Sequence, residues 1–210
     1  MIERVYEKCV KVFPSYVATD DERIVDHCIE KGIKFLFTSK NCETGTDRVA
    51  EAYKRLGGYD TIINVQGDEP LIKAEDIMAV AEVHRQVPYL VICGMCEATK
   101  EEFENPNIVK VVTNYRGELL YASRAGIPTT KDLQFKAAYK QVCIYAFRAA
   151  QLDYFGGRFR TSYELIEDIE LLRFLDSDYS VKMVKVSNAS ISVNVPEDIK
   201  KVEDELLKKS

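Results

Sequence analysis

An Asp-Glu pair stands at the end of a predicted strand, in the stretch NVQGDEP that covers residues 64–70. It directly follows the apolar run TII, and ligands of parallel α/β sheets bind outside the carboxyl ends of strands. Asp68 lies beside Gly67, which lets the main chain approach a ligand closely. An acid in this position suits Mg²⁺, which takes one or two protein carboxylates together with substrate phosphates. The alternative is an acid that merely caps a turn or a helix.

A second candidate site is the stretch TGTDRVAEA, which begins at Thr44. It places Gly45, Thr46 and Arg48 at a predicted helix N-terminus, where main-chain N–H groups and the helix dipole can hold an anionic or polar ligand. The guanidinium of Arg48 adds a fixed fork of hydrogen-bond donors. An ordinary N-cap with Glu51 in the first turn of the helix is the competing interpretation, although it explains the pairing of Gly45 with Thr46 less well.

Helical and strand patterns alternate along the first half of the chain with short connections, which favours a parallel sheet covered by helices. The second half differs. It predicts a hairpin with its turn near Arg116 and Gly117, an aromatic-rich strand in KQVCIYAFR, and a long amphipathic helix in YELIEDIELLRFLDS. Two further strands are predicted in VKMVKVS and ISVNVP, followed by a closing helix with Pro196 near its start. We expect one α/β domain over residues 1–210 with a mixed-sheet extension.

Composition narrows the class of protein and its partners. A net charge of −5 over 210 residues argues against nucleic acid, because binding to its phosphates favours a basic surface. No apolar stretch approaches the ~20 residues of a membrane span, and there is no signal-peptide pattern. The 6 Cys are scattered, and the C-x-x-C spacing of Cys93 and Cys96 inside an apolar run is a weak redox or metal signal. We expect a cytoplasmic protein with free thiols and no membrane partner.

Six stretches carry a resemblance to a known family over essentially the whole chain. In order they are GTDRVAEA, INVQGDEPLI, NPNIVKVV, SRAGIP, YKQVCIYAFR and VPEDIKKVEDEL. They closely resemble 3-deoxy-manno-octulosonate (Kdo) cytidylyltransferases. The resemblance implies a Rossmann-like nucleotidyltransferase fold, a three-layer sandwich with a mostly parallel sheet and a β-rich dimerisation extension at about residues 108–148. It also implies a homodimer that uses CTP, a Kdo-like sugar acid and Mg²⁺, and makes CMP-Kdo and pyrophosphate for lipopolysaccharide or capsule synthesis.

The resemblance also implies roles for individual residues. Asp68 matches the family's metal-binding Asp, and Gln66 matches the Gln that contacts the sugar acid. The predicted sugar-acid pocket contains Arg124, Gln141, Tyr145 and Glu164. Gly45, Thr46 and Arg48 match positions that approach the nucleotide. From the residues alone, Tyr145 could equally be a core aromatic on a strand, and Glu164 could lie on a solvated helix face.

Three departures from the family pattern bear on activity. The family's first strand and its nucleotide-binding loop, of the kind PAR-x-x-S-x-R-L-P-G-K-P-L, have no match here, so a central strand is expected to be missing and two strand edges to be unpaired. Asn194 stands where the family usually has a second metal-binding Asp, which predicts weaker Mg²⁺ binding. Gln141 replaces a common His. A catalytically silent, N-terminally truncated relative that binds a sugar acid or forms dimers is therefore the alternative function.

Overall fold

A computed structural model describes residues 1–177, 179–188 and 191–208 of the chain. The helices, in chain order, are α1 (Ile2–Cys9), α2 (Glu22–Lys31), α3 (Gly45–Leu56), α4 (Ala74–Gln86), α5 (Lys100–Glu104), α6 (Ala149–Gly156), α7 (Ser162–Glu167), α8 (Leu171–Leu175) and α9 (Pro196–Leu207). The strands are β1 (Val17–Thr19), β2 (Phe35–Phe37), β3 (Ile62–Val65), β4 (Val91–Glu97), β5 (Lys110–Thr113), β6 (Leu119–Ser123), β7 (Tyr139–Phe147) and β8 (Val181–Lys185).

The larger sheet is built around β7, the aromatic-rich strand. Within the described residues, β4 pairs with one edge of β7, while β5 and then β3 pair with the other edge, all of them antiparallel. Parallel β8 extends the sheet beyond β4, and β6 extends it beyond β5. Strands β3, β4, β5 and β8 thus run in one direction, and the predicted α/β fold is confirmed. Because β7 runs against them, the sheet is mixed and most of its hydrogen-bonded pairs are antiparallel.

Two apolar layers cover the faces of this sheet and give the predicted three-layer arrangement. Alternate residues of β4 and β7 point to opposite faces, so Cys93 lies in the layer under α6 and α8, while Cys96 lies in the layer under α1 and α4. Both thiols are free and buried, and burial raises the pKa of each. Their C-x-x-C spacing therefore reflects strand packing, since the two sulfurs face different layers.

Two predicted elements of the second half are wrong. The long helix breaks at Asp168, whose φ of 52° is left-handed, so that α7 and α8 are separate short helices. The stretch ISVNVP forms no strand within its described part, residues 191–195 being irregular before α9 begins at Pro196. The hairpin is confirmed: Gly117, with a φ of 77°, lies in the turn between β5 and β6. Amphipathic spacing predicted helix over residues 163–177 but carried no signal for the turn at Asp168.

A gap interrupts the sheet between β1 and β3. In the described part of the chain, β1 pairs with β2 alone and β3 pairs with β7 alone. Because Gln66 N–H bonds Cys143 on the β7 side, the main-chain groups of Ile63 and Val65 face the other way, toward the gap. Ala18 faces the gap from β1 by the same alternation, since Val17 and Thr19 bond toward β2. The two unpaired edges match the expectation of a missing central strand.

Candidate active site

Two cavities meet at the carboxyl end of β3. The large cleft, about 1190 Å³, fills the gap between β1 and β3, and the small cavity, about 550 Å³, lies between β7, Arg124 and the segment before α9. Gln66, Asp68, Asp168 and Glu170 line both. Most of the predicted site residues line one cavity or the other, whereas the buried Thr46 and Glu164 line neither. Gly45 and Arg48 line the large cleft, whereas the small cavity is lined by Arg124, Gln141, Tyr145 and Asn194.

Asp68 lies in the turn that follows β3. Its neighbour Gly67 packs against α1, where an added Cβ would lie 2.8 Å from Ile2 Cδ1. Oδ1 of Asp68 is buried and has no hydrogen-bond partner in the described structure. Burial, and then the charge of Glu69, raise the pKa of Asp68 to about 6. A carboxylate that is partly desolvated and unpaired is favourably placed to bind a cation.

The donor set around Asp68 fits a magnesium ion that keeps much of its own hydration. Asn194 lines the same small cavity, and Val193 N–H donates to the main-chain oxygen of Asp68 at 2.9 Å. Among the described residues there is no cluster of three or more His, Cys, Asp or Glu suited to a metal. One carboxylate and one amide oxygen suffice for Mg²⁺, whose remaining positions are commonly filled by water and phosphate oxygens.

The N-terminus of α3 is bound by a carboxylate that the sequence reasoning missed. The capping box of Thr44 and Asp47 forms, as the N-cap interpretation proposed. Beyond it, the N–H groups of Gly45 and Thr46 donate to Glu170 at 3.0 and 3.1 Å, and the Thr46 hydroxyl bonds the same carboxylate. No local signal marks Glu170, which is one of several acids in the stretch YELIEDIE.

Glu170 also holds Gln66. The side-chain amide of Gln66 donates to Glu170 Oε1 at 3.1 Å, and an added Cβ at Gly45 would lie 2.8 Å from Gln66 Nε2. The absence of a side chain at Gly45 therefore permits this approach. Desolvation raises the pKa of Glu170 despite the four donors around it.

Arg48 lies on the wall of the large cleft, next to the end of β1. Its guanidinium donates to Thr38 Oγ1 at 2.6 Å and pairs with Asp20 at 3.1 Å. Asp20 belongs to the loop that follows β1. The two side chains form a charged rim at the cleft rather than a lone cationic site.

Tyr145 and Gln141 form the inner wall of the small cavity. Gln141 Nε2 contacts the Tyr145 hydroxyl at 2.7 Å, and the Tyr145 ring packs into the core beside Phe147. Burial raises the pKa of Tyr145 well above its ordinary value, so its hydroxyl stays protonated. The ring of Tyr145 is thus part of the core, and the same residue also lines the small cavity.

Arg124 borders the small cavity but its donors are engaged. Its guanidinium bonds the main-chain oxygens of Glu167, Asp168 and Pro106 at 2.5, 3.0 and 3.2 Å. Arg124 thereby anchors the turn at which α7 ends. Any contact with a ligand would be made alongside these bonds.

Glu164 lies apart from both cavities. It is fully buried and bonds Arg173 through both oxygens, at 2.7 and 2.6 Å. Arg173 in turn pairs with Asp47 of the α3 capping box at 2.9 Å. The structure supports neither a pocket position nor a solvated helix face for Glu164. It is part of a buried ion network that fastens α7 and α8 to α3.

A model of the cytidylyltransferase family matches residues 1–186 of the chain. The chain belongs to the cytidylyltransferase family. This cytidylyltransferase is 36% identical over 206 residues to a 3-deoxy-manno-octulosonate cytidylyltransferase of Fusobacterium nucleatum, covering 96% of this chain and 84% of the relative. It is 37% identical over 215 residues to one of Syntrophus aciditrophicus, covering 99% of this chain and 87% of the relative.

Solved structures agree with the family assignment. The cytidylyltransferase superposes with a TM-score of 0.90 on a CMP:2-keto-3-deoxy-manno-octonic acid synthetase complexed with CTP, at 30% identity, over 100% of this chain and 88% of that one. An inositol-1-phosphate CTP transferase from T. maritima, at 13% identity and a TM-score of 0.63, shares the fold. The expected family and enzyme class, nucleotidyltransferase, are confirmed. No helix in the described part of the chain is long and apolar enough to cross a membrane.

Proposed function

We propose that this cytidylyltransferase transfers CMP from CTP to the anomeric hydroxyl of Kdo, or of a closely related sugar acid, and releases pyrophosphate. The meeting of the two cavities at Gln66 and Asp68 carries the proposal. CTP lies in the large cleft and the sugar acid in the small cavity. The acceptor hydroxyl then approaches the α-phosphate of CTP beside Asp68.

All of the predicted residues except Glu164, which lies apart from both cavities, have a place in this scheme. Asp68 and Asn194 would hold Mg²⁺, which would supply positive charge to neutralise the phosphate oxygens during the displacement. Gln66 contacts the sugar acid, and its orientation is set by the bond to Glu170. Gln141 and Tyr145 supply the polar inner wall, and Arg124 borders the same cavity. Gly45 and Arg48 bind the nucleotide from the large cleft, and Thr46 lies buried beside them. The N–H groups of Gly45 and Thr46 donate to Glu170, so this carboxylate must release them before they can donate to the nucleotide.

A specific observation favours the alternative, a catalytically silent relative that binds a sugar acid. The large cleft lies between two strand edges, those of β1 and β3, that are unpaired within the described residues. The small cavity does not depend on that gap for its inner wall, which β7 provides. Sugar-acid binding without turnover is the behaviour expected of this alternative.

Pyrophosphate release from the purified chain with CTP, Kdo and Mg²⁺ separates the two functions. The enzyme hypothesis predicts turnover that Asp68→Asn lowers by about 100-fold or more, because metal charge stabilisation contributes several kcal/mol. Asp60→Asn, an exposed site outside both cavities, is the matched control and retains wild-type turnover. Absence of pyrophosphate release, with Kdo binding detected by calorimetry, would instead favour the silent relative. Equal turnover in Asp68→Asn and wild type would exclude Asp68 as the metal ligand.

We also propose that the protein acts as a homodimer in the cytoplasm, in lipopolysaccharide or capsule synthesis. Apolar side chains on β6 and α7 form an exposed patch that supports the dimer, with Leu120 60% and Ile166 77% exposed. Tyr121 and Tyr163 join the two elements through an edge-to-face ring contact at 6.5 Å. Sedimentation as a monomer at micromolar concentration would contradict this proposal.

A further inference from the structure

The irregular segment of residues 191–195, here called the strap, is attached to the end of β3 by two hydrogen bonds. Ser192 Oγ donates to Glu69 Oε1 at 2.8 Å. Val193 N–H donates to the main-chain oxygen of Asp68 at 2.9 Å. The strap thus runs beside the two acids of NVQGDEP without forming a regular strand.

Glu69 connects the strap to the central strand of the sheet. Its side chain is 1% exposed, and Oε1 also accepts the main-chain N–H of Cys143, in β7, at 3.2 Å. One buried carboxylate therefore bonds both β7 and the strap while lying next to Asp68. A buried carboxylate with fixed donors is a rigid anchor, because its hydrogen bonds replace those to water that were lost on burial.

The other end of the strap is fixed at the start of α9. The N–H groups of Asn194 and Val195 donate to Asp198 Oδ2 at 3.1 and 3.2 Å, as an N-terminal cap. Asn194 lies between this cap and the Ser192–Glu69 bond. Its position on the wall of the small cavity is consequently determined by an anchor on each side.

We propose that Glu69 is a positioning residue that acts through Asn194. By holding the strap against β7, Glu69 keeps the Asn194 amide beside Asp68, so that both side chains can contribute oxygen ligands to one divalent cation. This inference rests on the proposed metal site of the cytidylyltransferase. Glu69 itself makes no contact with the cation in this scheme.

The variants Glu69→Gln and Glu69→Ala provide the first test, with Mn²⁺ as a spectroscopic substitute for Mg²⁺. Gln keeps an oxygen that can accept from Cys143 N–H and Ser192, whereas Ala removes it. Mn²⁺ binding measured by electron paramagnetic resonance is expected to weaken about 10- to 100-fold in Glu69→Ala and to stay within about threefold of wild type in Glu69→Gln.

A double variant decides whether Glu69 acts through Asn194. If it does, Glu69→Ala combined with Asn194→Ala binds Mn²⁺ no more weakly than Asn194→Ala alone, because the ligand that Glu69 positions is already gone. Additive losses of affinity would overturn the proposal.

Hydrogen exchange of the metal-free protein tests the anchor independently of metal. A peptide that covers the strap is expected to exchange faster in Glu69→Ala and in Ser192→Ala, but at the wild-type rate in Glu69→Gln. Ser192→Ala removes a single bond, so it remains informative if Glu69→Ala does not fold. Unchanged exchange in Ser192→Ala and in any folded Glu69→Ala protein would overturn the anchor. If wild type binds no Mn²⁺ but the strap still exchanges faster in Ser192→Ala than in wild type, the proposed metal site is wrong and the anchor is correct.

Discussion

The amide of Gln66 donates a hydrogen bond to Glu170 across 104 positions of sequence, with 3.1 Å between Nε2 and Oε1. The same carboxylate accepts from the first two N–H groups of α3, at Gly45 and Thr46. Glu170 thus joins the predicted sugar-acid contact to the predicted nucleotide contact. Glu170 lines both cavities, so a substitution at Glu170 is expected to affect the binding of both substrates.

Replacement of Glu170 by Ala is expected to lower the free energy of unfolding by about 2–4 kcal/mol, since it leaves several partly buried donors without an acceptor. In the variant that still folds, the KM values for CTP and for the sugar acid should both rise. Urea denaturation and steady-state kinetics are the measurements.

Glu203→Ala, on the exposed face of α9, is the matched control for Glu170→Ala and should change neither quantity. A variant in which only the KM for CTP rises would indicate that Gln66 keeps its orientation without Glu170.

Asp68 should make the metal-free protein less stable as the pH rises. Its folded pKa is about 6, above the ordinary 3.8, so between these values the folded state holds more protons and stability falls with increasing pH. At pH 7 the penalty is about 2 kcal/mol once solvent screening is allowed for. Asp68→Asn should remove it and be the more stable protein at pH 7.

Chemical denaturation of wild type and Asp68→Asn without divalent cations, at pH 4.5 and pH 7, checks this dependence. The advantage of the variant should shrink to less than half at pH 4.5, where wild-type Asp68 is mostly protonated. If Asp68→Asn is more stable than wild type by the same amount at both pH values, the charge of the Asp68 carboxylate is not the cause of the difference.

Glu164 is expected to support stability rather than sugar-acid recognition. Arg173→Met should cost about 3–5 kcal/mol, because it removes the closer of the two arginines that pair with the fully buried Glu164, the other being Arg160 at 3.3 Å. Glu164→Gln should lower the melting temperature while leaving the KM for the sugar acid unchanged in the folded protein. Gln141→Ala, on the cavity wall, is the contrasting variant in which that KM rises. A higher KM for the sugar acid in Glu164→Gln would contradict this prediction and indicate that Glu164 contributes to substrate binding.

His84 should destabilise the protein as the pH falls. It is fully buried, its Nδ1 lies 3.1 Å from Thr61 Oγ1, and Nε2 has no partner in the described structure. Burial, and then the positive charge of Arg148, lower the pKa of His84 below 6.5. The unfolded chain therefore takes up a proton as the pH drops through 6.5 while the folded protein does not, and stability is lost.

An NMR titration of the His84 ring between pH 8 and pH 5 measures this directly. The resonance should stay in its neutral form at pH 6.5. A midpoint at or above 6.5 would contradict the prediction.

Local patterns in the sequence were sufficient for much of the fold and part of the site. The capping box at Thr44 and the turn at Gly117 depend on neighbouring residues, whose conformational preferences are visible in a short window. The placement of Asp68 at the end of β3 follows from an apolar run and a glycine. The resemblance of six stretches supplied the family, and with it the residues that line the small cavity.

Only the tertiary structure determines which partner each acidic residue of the stretch YELIEDIE binds. Glu164, Glu167 and Glu170 stand three residues apart, yet the first pairs with a buried arginine, the second bonds Ser123 and the third caps α3 and holds Gln66. The break at Asp168 rotates them onto different neighbours, and helical periodicity cannot predict such a break. Likewise, Glu69 and the strap meet across 123 positions. The energy of a buried carboxylate depends on the donors that surround it in space, and its own sequence neighbourhood does not specify them.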